Sequence, residues 1–495
     1  MIFMKTKYIT TAIPYTNAKP HIGHAMDYLL ADVWFRYQRQ QGHEVLFSAG
    51  LDEHGTKIAG KAQEAGKSPQ EFVDALTPVF QDFLQKMNVS HTQFIRTTDP
   101  EHIERSQEIW RRLDEAGVIY KAQYKGWYCA GCEAFVTETE AKAMNYQCPN
   151  HTKLEKIEDE NYFLRVSQFT EAIRQFSEQI IPKWRGKEVR ELIKNGAQDV
   201  SISRSREKLA WGIPVPGDDS HVMYVWVEAL SNYITVLDQG ADLDTWWKNL
   251  NSGAVWPADV EVIGKDISRF HAIIWPAMLL ALGLELPKVL LVHGFVNLVG
   301  EKISKSLGNT VYPTDIIGEY GCDAFRYFFL RHIPTFDDGD YTEEKFITAY
   351  NGELANNLGN LVSRTANMVT RFAEGRIADS EDFTWDPSKF EKNMDDFRYD
   401  LALEEIWKLI QHLNQYIDEK KPWELNRDES KKAEVMAAMS YLTTGLNKVA
   451  SLLTPFLPET AKKIEEVFGG SSISEPKGVL FIRKDGQEGR LNARS

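Results

Sequence analysis

A chain of 495 residues is too long for one hydrophobic core, so two or three domains are expected. Its 43% hydrophobic and 26% charged residues fit a globular chain, and no uninterrupted apolar stretch reaches the ~18 residues of a membrane span. A net charge of −14 excludes nucleic-acid binding through a global basic field, so no DNA partner is expected, while a local basic track for one RNA stays open.

The opening residues carry no apolar run followed by a small-residue cleavage site, and four cysteines are too few for a disulfide scaffold; both suit a reducing cytoplasm. Residues 6–13 read as a strand running into Pro14. From Met26, apolar residues at Leu29, Leu30, Val33, Trp34 and Tyr37 mark one face of a helix that Gly42 ends. Residues 44–49 read as a second, buried strand, which makes a βαβ unit and a parallel sheet. Helical patterns follow over about 68–88 and 99–117. Cysteine pairs, aromatics and short strands then mark an insertion up to about Val222. Strand signals return at 222–227, 260–263 and 288–293, and complete the first sheet. Beyond Tyr341, stripes through Phe346, Tyr350, Leu354, Leu358, Leu361 and Val362, then over 395–416 and 430–454, predict a helix bundle. The polar stretch from Gly469 reads as loosely attached.

Three constellations carry chemistry. Pro20-His21-Ile22-Gly23-His24 stands at a strand-to-helix turn, where unpaired N–H groups suit phosphate and two histidines can donate to its oxygens. Lys302-Ile303-Ser304-Lys305-Ser306 follows a hairpin with strand 292–299 and a turn near Gly300-Glu301, and its lysines suit a triphosphate. Cys129-x-x-Cys132 and Cys148-x-x-His151, with 15 residues between the pairs, read as a Cys₃His tetrahedral zinc site. Four protein ligands leave no open position, so this zinc is structural, and one set implies one Zn²⁺. Cys322 opens an apolar helix and is expected to be buried.

The pair formed by His21-Ile22-Gly23-His24 and Lys302–Ser306 resembles the signature of the class I aminoacyl-tRNA synthetases, with Ile303 where the family usually has Met. The resemblance narrows to the methionyl-tRNA synthetases and covers about 5–485. It rests on Ala12-Ile13-Pro14-Tyr15, Ala31-Asp32-Val33-Trp34, Asp52-Glu53-His54-Gly55, the stretch 224–229, Gly264-Lys265-Asp266-Ile267 and Val292-His293-Gly294-Phe295. It implies an α/β Rossmann-like parallel-sheet catalytic domain with a zinc-bearing insertion, followed by an all-α anticodon-binding bundle. The expected boundaries are 1–118 and 223–322 for the two catalytic halves, 119–222 for the insertion, 323–345 for a stem-contact linker and 346–495 for the bundle.

The same resemblance implies methionine–tRNA ligase activity on ATP with Mg²⁺, L-methionine and tRNA(Met). His21, His24, Lys302 and Lys305 would stabilise adenylation, with Pro14, Tyr15, Gly23, Lys265 and Asp266 also at the nucleotide. Ile13, Tyr15, Asp52, Trp226, Ala229, Leu230, Tyr233, Ile267 and His271 would hold methionine. Asp52 would take the ammonium, while Tyr233 and His271 would stand at the soft, polarizable sulfur. Arg204 would lie near the substrate carboxylate. Asn360, Arg364 and Trp423 would read the anticodon, although Trp423 also reads as a core residue at a helix end.

Isoleucine, valine and leucine synthetases need a large editing domain, for which an insertion of about 100 residues is too short. A cysteine enzyme needs an open zinc position, and small nucleotidyltransferases lack both the insertion and the bundle. A non-catalytic RNA-binding protein on this scaffold would not need His21, His24 and Lys305. Longer relatives append a dimerising oligonucleotide-binding domain; nothing here resembles it, and a monomer is expected.

Overall fold

The computed structural model describes residues 6–129, 134–136, 138–148, 153–298, 301–302, 311–375, 380, 382–470, 473 and 478–484. It forms two compact units: Met1–Pro20, Gly42–Leu84 and Ser90–His293 make the first, and His21–Gln41, Gln85–Val89 and Gly294–Ser495 the second.

The first unit is built on a six-stranded parallel sheet in the order Gln93–Arg96, Val45–Leu51, Lys7–Thr11, Val260–Gly264, Leu290–His293, Ile180–Ile181. Strands 260–264 and 290–293 are buried at every residue, the pattern of a sheet covered on both faces. The strand order reverses between Lys7–Thr11 and Val260–Gly264. In open parallel sheets, ligands bind outside the carboxyl ends at such a switch point.

Two elements depart from the sequence reading. Residues 222–227 are not a strand of this sheet. Asp218–Met223 is a strand in a small antiparallel sheet, pairing with Ser203–Ser205. The chain then turns at Tyr224 into the helix Val225–Thr235. Short apolar runs of this kind do not distinguish a strand from a buried helix. The edge strand Ile180–Ile181 also comes from within residues 119–222, pairing with Leu290 and Leu291. Around it, the long antiparallel pair Ile119–Cys129 and Glu155–Leu164 is flanked by Ala134–Val136 and Val200–Ser201.

The second unit opens with the turn Ile22–His24 and the helix Ala25–Gln40. Its other long helical segments are Cys322–Arg331, a run over 343–372, Tyr399–Lys420, Lys432–Leu453 and Pro458–Phe468. The helix Ala25–Gln40 is fixed by a buried ion cluster. Arg326 Nη2 meets Asp32 at 2.7 Å, both side chains being fully buried, and Arg36 Nε meets the same carboxylate at 2.7 Å. Arg326 also donates to the carbonyls of Phe456 at 2.6 Å, Pro455 at 3.1 Å and Met87 at 3.2 Å.

One described part of the polar stretch from Gly469 differs from expectation. Residues 478–484 dock on the helical turns Tyr350–Gly359: the Tyr350 hydroxyl donates to the Ile482 carbonyl at 2.9 Å, and Asn351 exchanges two hydrogen bonds with Lys484. Phe481 is buried with its ring edge-on to Tyr350. Polarity suggests a loose stretch, but one buried aromatic and paired backbone groups suffice to seat residues 478–484.

Candidate active site

In the first unit, candidate residues gather at the switch point. Beyond the first strand, Tyr15 bridges Asp52 at the end of the second: the Asp52 N–H donates to the Pro14 carbonyl at 3.0 Å, and the Thr16 N–H to the Asp52 carbonyl at 2.9 Å. Across the reversal, Val260–Gly264 runs into the turn Lys265–Ile267. A Cβ on Gly264 would lie 2.9 Å from Asp266 Oδ1, so glycine permits the close approach that aims this turn. Pro14, Tyr15, Lys265 and Asp266 therefore all stand at carboxyl ends of the two strands that flank the reversal.

The helix Val225–Thr235 carries Trp226, Ala229, Leu230 and Tyr233 at spacings of 3, 1 and 3, one face of a helix. His271 lies in a widened turn, Phe270–Ile274. Its Nδ1 faces the Ile267 carbonyl at 3.0 Å, and a carbonyl only accepts, so Nδ1 carries the proton. Nε2 then accepts from the Tyr233 hydroxyl at 2.6 Å. Burial pushes the His271 pKa down to about 4, which keeps the ring neutral at physiological pH. Tyr15, Trp226 and Ile267 pack, partly buried, against the core that contains Leu230 and Tyr233. Ile13 stands close to Gly50, whose added Cβ would approach the Ile13 Cγ2 to 3.0 Å.

The sequence reading missed Phe270, which stacks on Trp226 with centroids 3.8 Å apart and planes 4° from parallel. It also missed the buried pair of His54 Nδ1 and Glu228 Oε2, 2.8 Å apart, which ties the Asp52–Gly55 stretch to the helix Val225–Thr235. Arg204 lies over the ring of Tyr224 at 4.1 Å and near that of Tyr128 at 5.3 Å. On the strand Val260–Gly264, Glu261 is fully buried and accepts from Trp275 Nε1 at 3.0 Å; burial raises its pKa to about 8.

The second unit holds the histidine turn. His21 Nδ1 accepts from the Gly23 N–H, and His24 Nδ1 from the His21 N–H, both at 3.1 Å. With both Nδ1 atoms accepting, each neutral ring carries its proton on Nε2, a donor suited to phosphate. The ring centroids are 4.0 Å apart. A Cβ on Gly23 would lie 2.8 Å from His21 Cε1, so glycine leaves room for the folded-back ring.

This turn also meets both ends of the lysine-bearing segment. It packs against the strand Val296–Leu298, which forms the expected hairpin with Glu301–Lys302. The Ile22 N–H donates to the Val311 carbonyl at 3.2 Å. Lys302 is described only as a strand position, and Lys305 lies outside the described residues.

In the bundle, Asn360 is exposed and Arg364 half-buried, four apart on the helix Asn360–Phe372. Arg364 pairs with Asp418 at 3.1 Å, near the end of the helix Tyr399–Lys420. Lys421 then adopts a left-handed conformation (φ 44°), and Trp423 follows with 37% of its surface exposed. That exposure removes the reading of Trp423 as a core residue.

Of the zinc ligands expected, Cys129 and Cys148 share one small cluster with Ala141 and Leu154, while Cys132 and His151 lie outside the described residues. Among the described residues no three metal-ligating side chains converge. Cys322 is buried as expected, and burial pushes its thiol up to about 12. No helix among the described residues is long and apolar enough to cross a membrane.

Residues 7–366 match the family model described as tRNA synthetases class I (M), and residues 388–480 match the anticodon-binding domain of tRNA ligase. A methionine–tRNA ligase of Caldanaerobacter subterraneus subsp. tengcongensis is 43% identical over 94% of this chain and 74% of its own length. One from Clostridium acetobutylicum is 42% identical over 93% and 73%. The solved Mycobacterium tuberculosis methionyl-tRNA synthetase in complex with methionyl-adenylate superposes with a TM-score of 0.88 at 35% identity, covering 97% of this chain and all of that one. The chain thus carries a parallel-sheet switch point, a histidine turn at a helix start and a helical region that matches the anticodon-binding model, and it belongs to the methionyl-tRNA synthetases, the class I methionine–tRNA ligases.

Proposed function

We propose the following division of labour for methionine activation and transfer in this chain. Asp52 holds the substrate ammonium. Ile13, Tyr15, Trp226, Ala229, Leu230, Tyr233, Ile267 and His271 enclose the side chain. The observation that carries this is the internally satisfied Tyr233–His271 pair set among stacked aromatics. With Tyr233 donating to a neutral imidazole, the pocket presents polarizable surface and no charge, which suits a thioether and offers nothing to a charged side chain.

The methionine carboxylate oxygen attacks the α-phosphorus of Mg²⁺-bound ATP, the bond to the β-phosphate oxygen breaks, and pyrophosphate leaves. His21 and His24 donate to phosphate oxygens from Nε2, with Lys302 and Lys305 neutralising the leaving group. Pro14, Tyr15, Gly23, Lys265 and Asp266 position the nucleotide, and Arg204 faces the carboxylate. The terminal 2′-hydroxyl of tRNA(Met) then attacks the adenylate carbonyl, losing its proton as AMP departs. Asn360, Arg364 and Trp423 contact the anticodon; an exposed ring and a surface arginine are the equipment that splayed bases require. Cys129, Cys132, Cys148 and His151 hold one structural Zn²⁺, since three thiolates and an imidazole are a complete tetrahedral donor set. The product serves initiation and elongation, and the few cysteines fit work in the cytoplasm.

Amino-acid-dependent ATP–pyrophosphate exchange with methionine, cysteine, leucine, isoleucine and valine tests this. Exchange with methionine alone is expected; exchange with another of the five would overturn the pocket assignment.

A further inference from the structure

The pocket helix Val225–Thr235 ends inside the protein, with every residue from Val227 to Thr235 buried. An α-helix leaves its last carbonyls without intrahelical donors, and a buried end needs substitutes. Three side chains from three other elements supply them. The Tyr8 hydroxyl donates to the Tyr233 carbonyl at 2.8 Å, and Trp246 Nε1 to the Ile234 carbonyl at 3.0 Å. Arg105 does the rest: Nη1 donates to the carbonyls of Thr235 at 2.6 Å and Leu237 at 2.8 Å, and Nη2 to those of Asp238 at 2.9 Å and Ala241 at 3.1 Å.

Arg105 is itself buried, lies 5.1 Å from the Trp246 ring and pairs with Glu101, which also accepts from the Gly240 N–H at 2.9 Å. One turn earlier, neutral His102 is hydrogen-bonded through Nδ1 with Thr235 Oγ1 at 2.7 Å and through Nε2 with Ser106 Oγ at 3.2 Å. A cation at a helix C-terminus also favours the helix dipole. Only a planar guanidinium reaches four carbonyls from one side chain; an ammonium does not. Tyr8 lies on the strand that leads to Ile13 and Tyr15, so its hydroxyl ties the carbonyl of Tyr233 to the opposite wall of the pocket.

We propose that Arg105 is a positioning residue for the amino-acid half of the site. It fixes where the pocket helix stands along its axis, and so sets methionine affinity and the discrimination against leucine, while leaving ATP binding unchanged. This rests on the assignment of Trp226, Ala229, Leu230 and Tyr233 to methionine.

The test is steady-state exchange kinetics of the full chain carrying Arg105→Lys, Arg105→Met, Tyr8→Phe or, as a control, Tyr233→Ala. Arg105→Met is expected to raise the methionine KM by roughly 10–10²-fold, up to the scale that a 1 Å misplacement costs. The ATP KM and the kcat at saturating methionine should stay within about twofold. Arg105→Lys should recover part of the loss, and leucine should gain relative to methionine. Should Arg105→Met fail to fold, the isosteric Tyr8→Phe must still raise the methionine KM selectively. Parallel loss of kcat and both affinities, or no change in any, overturns the proposal. If Tyr233→Ala leaves the methionine KM unmoved, the pocket assignment is what fails. If Tyr233→Ala raises it and neither Arg105→Lys nor Tyr8→Phe does, the positioning role fails alone.

Discussion

Glu261→Gln should stabilise the protein, and by an amount that depends on pH. The carboxyl is fully buried on the strand Val260–Gly264, with the Trp275 indole N–H donating to Oε1 at 3.0 Å. Its second oxygen has no hydrogen-bond partner among the described residues. Burial raises the pKa from an ordinary 4.5 to about 8, so at pH 7 the folded protein keeps the proton that the unfolded chain releases. The unfolded state then binds fewer protons, and stability falls as pH rises through this window. The loss starts near pH 4.5, grows by ~1.4 kcal/mol per pH unit, and levels off above pH 8. At pH 7 it amounts to ~3 kcal/mol. Glutamine keeps the shape and the indole partner but has nothing to ionise. Urea unfolding followed by tryptophan fluorescence, at half-unit steps from pH 4.5 to 7.5, gives the difference directly; Trp256 and Trp275 are both buried nearby. The variant's advantage should widen by ~3 kcal/mol across that range. A difference that stays flat would refute the reasoning, because Glu261 would then ionise alike in both states.

His24→Ala should lower exchange by ~10²–10³-fold while methionine binding, measured by calorimetry, stays nearly intact; equal loss of both would remove His24 from the phosphate chemistry. Trp423→Ala should weaken aminoacylation by ~10–100-fold, the worth of one stacked base, without touching ATP–pyrophosphate exchange; a fall in exchange of the same size would make Trp423 structural. Metal analysis should give about one zinc per chain, with chelation lowering the melting temperature; two zincs or none contradict the Cys₃His assignment.

The parts legible in the sequence were those that local pattern determines. The stripe from Met26 to Tyr37 gave the helix Ala25–Gln40, and the apolar runs gave the strands at 45–51, 260–264 and 290–293. The histidine turn and the lysine segment, far apart in sequence, read as one phosphate site; among the described residues, the strand Val296–Leu298 packs against the turn and Val311 accepts from its Ile22 N–H. What stayed hidden depends on distant packing. Residues 222–227 satisfy both strand composition and a buried helix, and only the neighbours that bury Val225–Thr235 decide. Arg105 leaves a trace in the helix pattern. His102, Arg105 and Ser106 occupy the same stripe as Ile109, Trp110 and Leu113, so polar groups stood on a face that should be apolar. The partners of Arg105 at Thr235–Ala241 are backbone carbonyls, which leave no mark in the sequence.

The cluster of Asp32, Arg36 and Arg326 constrains how this chain can evolve. One carboxylate serves two guanidiniums, and the fully buried one is also committed to three carbonyls. Loss of Asp32 alone would strand the Arg326 charge away from water, at a cost of ~3–5 kcal/mol. Loss of Arg326 alone would orphan the carbonyls of Pro455, Phe456 and Met87 together. Neither position can drift by single steps, so the two should covary across homologues, passing if at all through simultaneous replacement by an uncharged pair.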